Sequence, residues 1–497
     1  MHPMTESARH VAALAVSAGN PAAAGATDHA VEIVPIPPSA GARDLPPPRL
    51  TRIATPARGS TTSSDLAWLV LAAALVTALL GLLSGEMLLL GAGGAIACVV
   101  GGLIAPQVVL ALLVTVGGFK AAPWLQPIPG DVTVLAAAGV IGVVGIRALR
   151  QPVPSFPPAT ALAILMAVIV ALSVLWSPVP DEGLSKAIRF ELLTLLTFVA
   201  PLVLIRTRTD FSLLMAGLLG FGMLIASTAE QTGDPLKPLT VVGGNDTNQI
   251  DLAMFCALGL LAATYLALRG GRLVRLASLA SIGFLLYTLF AAGSRDILAG
   301  AILAVLYIVI TLTGQVIRRR TVVVALGLAA VTVAVAIQQA PDAAARYNDL
   351  LLSGQTDAVL GQRQYLFSKG VDLAVAAPLG HGAASYPAVT GGLVYPHNIE
   401  LELADEHGLL TVALLLALVV AAWRARRAAY RMGWKAESAV VGALIVVLFF
   451  DAQVSHGLND SRPMWLAFGL ALALPRLTGE PPEGTPVPSA SRGRPPR

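Results

Sequence analysis

Residues 395–423 run YPHN (395–398), IELELADEHG (399–408) and LLTVALLLALVVAAW (409–423). The last stretch belongs to an apolar run, 408–424, of the kind that crosses a bilayer core as a helix. The acidic stretch before it, and the histidine and amide before that, close a polar loop over 339–407. A histidine held at a membrane surface beside an amide and carboxylates can do proton chemistry near pH 7. The rest of the chain reads as a scaffold of spans that places this loop over a membrane.

Composition agrees. Of 497 residues, 56% are hydrophobic and 12% charged, with a mean hydropathy of +0.74. Soluble domains carry about a quarter charged residues. Apolar runs recur at 66–84, 87–105, 107–119, 132–147, 159–176, 184–205, 211–229, 250–268, 277–292, 296–314, 321–338, 408–424, 437–455 and 464–476. The expectation is an all-α polytopic membrane protein of about twelve to fourteen helices, with one large loop before the last three. Residues 1–65 and 477–497, rich in Ala, Pro, Ser and Arg, read as disordered tails. Between them lie an N-terminal bundle (66–338), the loop (339–407) and the C-terminal helices (408–476). Cys98 and Cys256 sit in apolar runs and read as packing residues. The net charge of +4 does not point to nucleic acid, because the basic residues lie in short inter-helix loops.

Those loops set orientation. Arg147, Arg150, Arg206, Arg208, Arg269, Arg272, Arg275, Arg318 to Arg320, Arg424, Arg426, Arg427, Arg431 and Lys435 gather at one set of ends. Only Lys120, Lys186, Arg189, Lys237, Arg295 and Arg462 border the other. The first set, with both tails, is expected in the cytoplasm. The loop 339–407 is then expected on the periplasmic side of a bacterial inner membrane. Lys186 and Arg189 share a helix face, and Arg295 sits at a turn on the same side as His397. A charge bordering a span is costly unless it has a partner or a cavity. One reading has the arginines snorkel or pair with Glu182, Glu191 or Asp296. The other makes them an anion site, since Arg grips phosphate oxygens bidentately.

Within the loop, 357–376 reads as an amphipathic helix with Arg363 and Lys369 on its polar part. Gly380-His381-Gly382 and Gly391-Gly392 read as turns, and Pro396 fixes the backbone before His397. His381 and His407 read as structural or solvated, and His397 has a structural reading too, at a helix start. Glu402, Asp405 and Glu406 read as a solvated rim, with cation binding as the alternative. No HExxH, Asp-x-Asp or Gly-rich phosphate motif occurs.

These residues resemble the O-antigen ligase and polymerase superfamily of bacterial inner-membrane glycan enzymes. The ligase pattern is matched by His397-Asn398, nine residues, Gly408, two residues and Thr411. Pro378 to Gly382 resembles the family's P-x-G-x-G turn, Arg363 its loop arginine, Ser294-Arg295 its Ser-Arg pair, and Gly457-Leu458-Asn459 to Trp465 its terminal turn. Asp296 departs from the expected small residue. The resemblance covers about residues 180–476.

The resemblance implies inverting, metal-independent transfer of a glycan from an undecaprenyl-diphosphate donor to an acceptor hydroxyl, with no cofactor. His397 would be the base, with Asn398 or Glu400 orienting it. Arg189 and Arg295 would hold the diphosphate. Arg363, Lys186, Glu400, Asn398 and Tyr395 would bind substrate, and membrane lipids would surround the carrier tail. In a ligase the acceptor is lipid A–core; in a repeat-unit polymerase it is a second lipid-linked glycan. A transporter or lipid flippase is the reading from another class, disfavoured because no internal repeat is seen and the polar residues gather at one surface.

Overall fold

The computed structural model describes residues 101–102, 104–118, 122, 131–231, 239–241, 249–313, 319–339, 358–391, 396–455 and 457–478. Its helices are α1 (Pro106–Thr115), α2 (Val132–Arg150), α3 (Thr160–Ser173), α4 (Pro180–Arg189), α5 (Leu196–Leu204), α6 (Arg208–Ser227), α7 (Gln249–Arg269) and α8 (Arg272–Ala291). There follow α9 (Arg295–Leu312), α10 (Arg319–Gln339), α11 (Ala358–Ala376), α12 (Tyr386–Thr390), α13 (Ile399–His407), α14 (Leu409–Arg431), α15 (Lys435–Ala452) and α16 (Arg462–Ala473). A π-helical segment, Phe190–Leu195, joins α4 to α5 as one rod. A two-stranded antiparallel ribbon pairs Ala229–Gln231 with Leu239–Val241.

Seven of these helices are long and apolar enough to cross a membrane: α2, the α4–α5 rod, α6, α7, α8, α9 and α14. This is a membrane-embedded helical protein. Shorter apolar helices add Pro106–Gly118, Thr160–Trp176 and Ala330–Gln339. The expected spans from 107–119 onward each coincide with a helix. The expected span 66–84, residues 87–100 of the expected span 87–105, both tails up to 65 and beyond 478, Lys120, Lys237 and Tyr395 lie outside the described residues.

The ends moved for local reasons. The rod starts at Pro180 rather than 184, because Pro suits the first helical turn and Asp181 and Glu182 suit the dipole there. Helix α14 runs past 424 to Arg431, so Arg424, Arg426 and Arg427 are helical and not loop residues. Arg426 is buried, with its guanidinium 4.3 Å from the Trp423 ring and bonded to Tyr307. Caps fix other starts: Asp131 accepts from Thr133 N–H at 2.7 Å, and Thr207 with Asp210 forms a capping box.

Burial sorts the helices. Helices α7, α15 and α16 are buried nearly all round and make the centre. Helices α2, α8, α9 and α14 leave one apolar side exposed. Contacts also sort the ends. At one end Glu437, fully buried, accepts from Arg208 at 3.0 Å and Arg269 at 3.4 Å, and Thr478 N–H donates to Arg206 O at 2.8 Å. Of the expected basic group, Arg147, Arg206, Arg208 and Arg269 meet there. The opposite end carries α11, α12 and α13.

Candidate functional site

The site is built on α13 and the segment before it. Residues 378–385 wrap the C-terminal end of α13. His381 and Gly382 donate their N–H groups to the carbonyls of Asp405 (2.7 Å) and Glu406 (3.0 Å), and Leu409 N–H donates to Pro378 O at 2.9 Å. Ser177 Oγ donates to Ala383 O at 2.7 Å, which ties the wrap to α3's end. Gly382 must be glycine: its φ is +99° and a Cβ would strike the backbone of Ser177.

Beneath the wrap lies a buried clasp. Lys186 Nζ donates to Glu402 Oε1 at 2.5 Å and to Glu406 Oε2 at 2.7 Å. Glu402 Oε2 accepts from Leu458 N–H at 2.8 Å, and Glu406 Oε2 from Ala384 N–H at 2.8 Å. The expected solvated rim is therefore corrected. Glu402, Asp405 and Glu406 are 3%, 0% and 1% exposed, because α13 packs inward on α14, α11 and α3, and Glu402 and Glu406 are met by a lysine from another helix. Lys186 is thereby committed to two carboxylates.

Burial governs the titration here. It pushes the Glu406 carboxyl up, against the pull of Lys186 and with the help of Glu402. It drives His407 down to about 3, with Lys186 adding to the fall, so that imidazole stays neutral. His407 Nδ1 lies 2.8 Å from Ser173 Oγ, and Nε2 is 3.8 Å from Glu406. Both residues are inaccessible, so this Ser–His–Glu series is packing and not a nucleophile. Asp405 has neither carboxylate oxygen hydrogen-bonded. Burial first, then Glu406 and Glu402, raise it to about 8.

His397 sits directly before α13 in a left-handed conformation, φ +55°. Asn398 caps the helix: its Oδ1 accepts from Leu401 N–H at 2.9 Å, and its Nδ2 donates to Gln453 O (3.2 Å) and Oε1 (3.0 Å). Gln453 Nε2 in turn donates to Glu400 Oε1 at 2.9 Å. Burial raises the Glu400 carboxyl, with that hydrogen bond opposing it.

The turn 453–461 gathers the rest. Ser455 Oγ donates to Asp296 Oδ2, and Ser294 Oγ to Asp296 Oδ1 at 2.6 Å. Asn459 Nδ2 donates to Lys186 O at 3.3 Å. One turn therefore holds the Arg295 corner, the Asn398 cap and the Lys186 backbone. Arg295 is half-buried and Arg189 exposed. Arg189 lies near enough to Arg462 for their charges to repel, with Asp460, Asp251 and Asp131 offsetting.

The structure thus brings His397, Asn398, Glu400, Lys186 and the Ser294–Asp296 corner to one end. Arg363 lies on α11, its side chain outside the described residues, as is Tyr395. Sequence reasoning missed Gln453 and Ser455 because it carried the span 437–455 over them; α15 ends at Ala452 and both sit in the turn after it, and the polar residues following Ala452 were the available signal. Among the described residues no His, Cys, Asp and Glu group is arranged to hold a metal ion. No family model and no curated protein matches the chain.

Proposed function

We propose that the protein transfers a glycan from an undecaprenyl-diphosphate carrier to an acceptor hydroxyl at the membrane face that carries α11 to α13, the periplasmic face by the distribution of basic residues. The observation that carries this reading is His397. A non-glycine residue at φ +55° is strained and persists when surrounding structure fixes it, a condition concentrated at working sites. Here Pro396 precedes it, and Asn398, which follows it, is pinned by three hydrogen bonds to Leu401 and Gln453.

In this mechanism His397 takes the proton of the acceptor hydroxyl as its oxygen attacks the anomeric carbon. The bond from that carbon to the diphosphate oxygen breaks, with inversion. Negative charge grows on the leaving diphosphate, where Arg295 and Arg189 stabilise it more than they do the ground state. Asn398 and Glu400 position the histidine through Gln453. Lys186, spent on Glu402 and Glu406, holds α13 to the rod instead of binding the donor. Lipid A–core is the favoured acceptor; a lipid-linked repeat unit is the second reading.

The test is a knockout strain complemented with wild-type or His397→Ala protein, with surface glycan and lipid-linked intermediates run on gels. Long glycan lost from lipid A–core, with full-length polymer left on the carrier, is the expected result. Accumulated single repeats would make the protein a polymerase. Full transfer by His397→Ala would remove the base assignment.

A further inference from the structure

We propose that α11 is an interfacial helix whose Phe367–Val371–Val375 stripe is seated in the bilayer, so that lipid hydrocarbon fills the cleft between α11 and the start of α14. The stripe residues are four apart and therefore share one helix face. They are 50%, 39% and 75% exposed, and Leu379, just beyond the helix, is more exposed still. Ser368 and Asp372, also exposed and four apart, mark an adjacent polar face. The apolar stripe thus borders a polar strip, with Gln364 at its N-terminal end, and the third side, Leu366, Gly370 and Ala374, is buried against the protein.

The occupant follows from continuity. Val371 and Val375 line a cleft of about 390 Å³ together with Leu401, Ala404, Leu409 and Val412. Among the described residues Glu400 is the one charged residue in its lining. Leu409 opens α14, a helix long and apolar enough to span. Its exposed Leu409, Leu416 and Val420 lie on one face by helical spacing. The apolar side of a spanning helix therefore continues onto the loop helix, and Glu400, the polar residue between them, has its carboxylate engaged by Gln453. A water-facing helix would not keep Phe367 and Val375 bare beside that side. An amphipathic helix at a bilayer boundary does so, with its apolar face about 5–10 Å into the headgroup and acyl region. Because α11 packs on α13 at Gly370 and Leu401, and Lys186 holds α13 to the rod, the bilayer surface would set the height at which His397 stands.

The experiment uses the full chain in liposomes, with Cys98→Ala and Cys256→Ala as background and single nitroxides at F367C, V371C and D372C. Oxygen, which concentrates in the acyl region, should relax the first two labels several-fold more than a water-soluble nickel chelate does. D372C should show the reverse. Equal access of the chelate to all three sites would overturn the proposal. So would Phe367 and Val371 labels reached by neither reagent, since protein would then cover the stripe. A photoactivated apolar carbene on the native chain removes dependence on the variants. Label on Phe367 or Val371 as well as on Leu409 or Leu410 supports the proposal, and label on the α14 leucines alone refutes it.

Discussion

The ammonium of Lys186 sits 2.5 Å from a Glu402 carboxylate oxygen, although 216 residues separate the two in the chain. This contact, with the one to Glu406, converts a long connection into a fixed element. Two carboxylates on successive turns of α13 receive one cation from the rod, and the turn 453–461 closes over the pair through Leu458 N–H.

Removing the cation should therefore cost more than a surface charge would. Lys186→Met leaves two buried acids unpaired, and about 3–5 kcal/mol of stability should be lost. Thermal unfolding in detergent measures it. The triple variant K186M/E402Q/E406Q should recover much of the loss, because neutral amides do not demand a cation. Equal losses in both would mean that the clasp is not an electrostatic device.

The strain at His397 gives a prediction that separates backbone from chemistry. His397→Gly should be about 1 kcal/mol more stable than His397→Ala, since glycine adopts positive φ freely. Both should lose on the order of 10²–10⁴-fold in transfer rate if the imidazole is the base. Activity retained by His397→Gly would reduce the residue to a structural one.

Asn398 carries two tasks that substitutions can divide. Asn398→Asp keeps an oxygen for Leu401 N–H but loses both donations to Gln453, whereas Asn398→Ala loses the cap as well. The alanine variant should be about 1 kcal/mol less stable than the aspartate. Similar transfer rates in the two, both well below wild type, would place the functional weight on the Gln453 link. Denaturant unfolding and a membrane transfer assay read the two effects.

Asp405 predicts a pH dependence. Its carboxyl is raised from the ordinary 3.8 to about 8 by burial and by Glu406 and Glu402. The folded protein thus holds this proton more tightly than the unfolded chain. Unfolding releases it between about pH 4 and pH 8, so this group's contribution falls as pH rises through that window. Asp405→Asn keeps the shape without the charge. It should match wild type near pH 4 and gain on it as pH rises to 8, by up to about 1.4 kcal/mol per pH unit. A difference independent of pH would show that Asp405 is not protonated in the native state.

The spans were legible in the sequence because a helix that crosses a bilayer must be apolar over its full length, and runs such as 408–424 and 250–268 satisfy that with no outside information. That Arg147, Arg208 and Arg269 lie at one end was legible because charges collect where spans leave the apolar core. The histidine's place before a helix start could be read from Pro396 and Asn398, which act on their own neighbours. The fates of Glu402, Asp405 and Glu406 could not. Acids near a helix start look alike in sequence whether they face water or a lysine on another helix, and burial is a property of what packs against them. Only the tertiary fold delivered Lys186 to Glu402 and Glu406, buried Asp405 beside them, and brought Gln453 to Asn398. Contacts across hundreds of residues leave no local period to read, because each side chain is chosen by a partner the chain reaches only when folded.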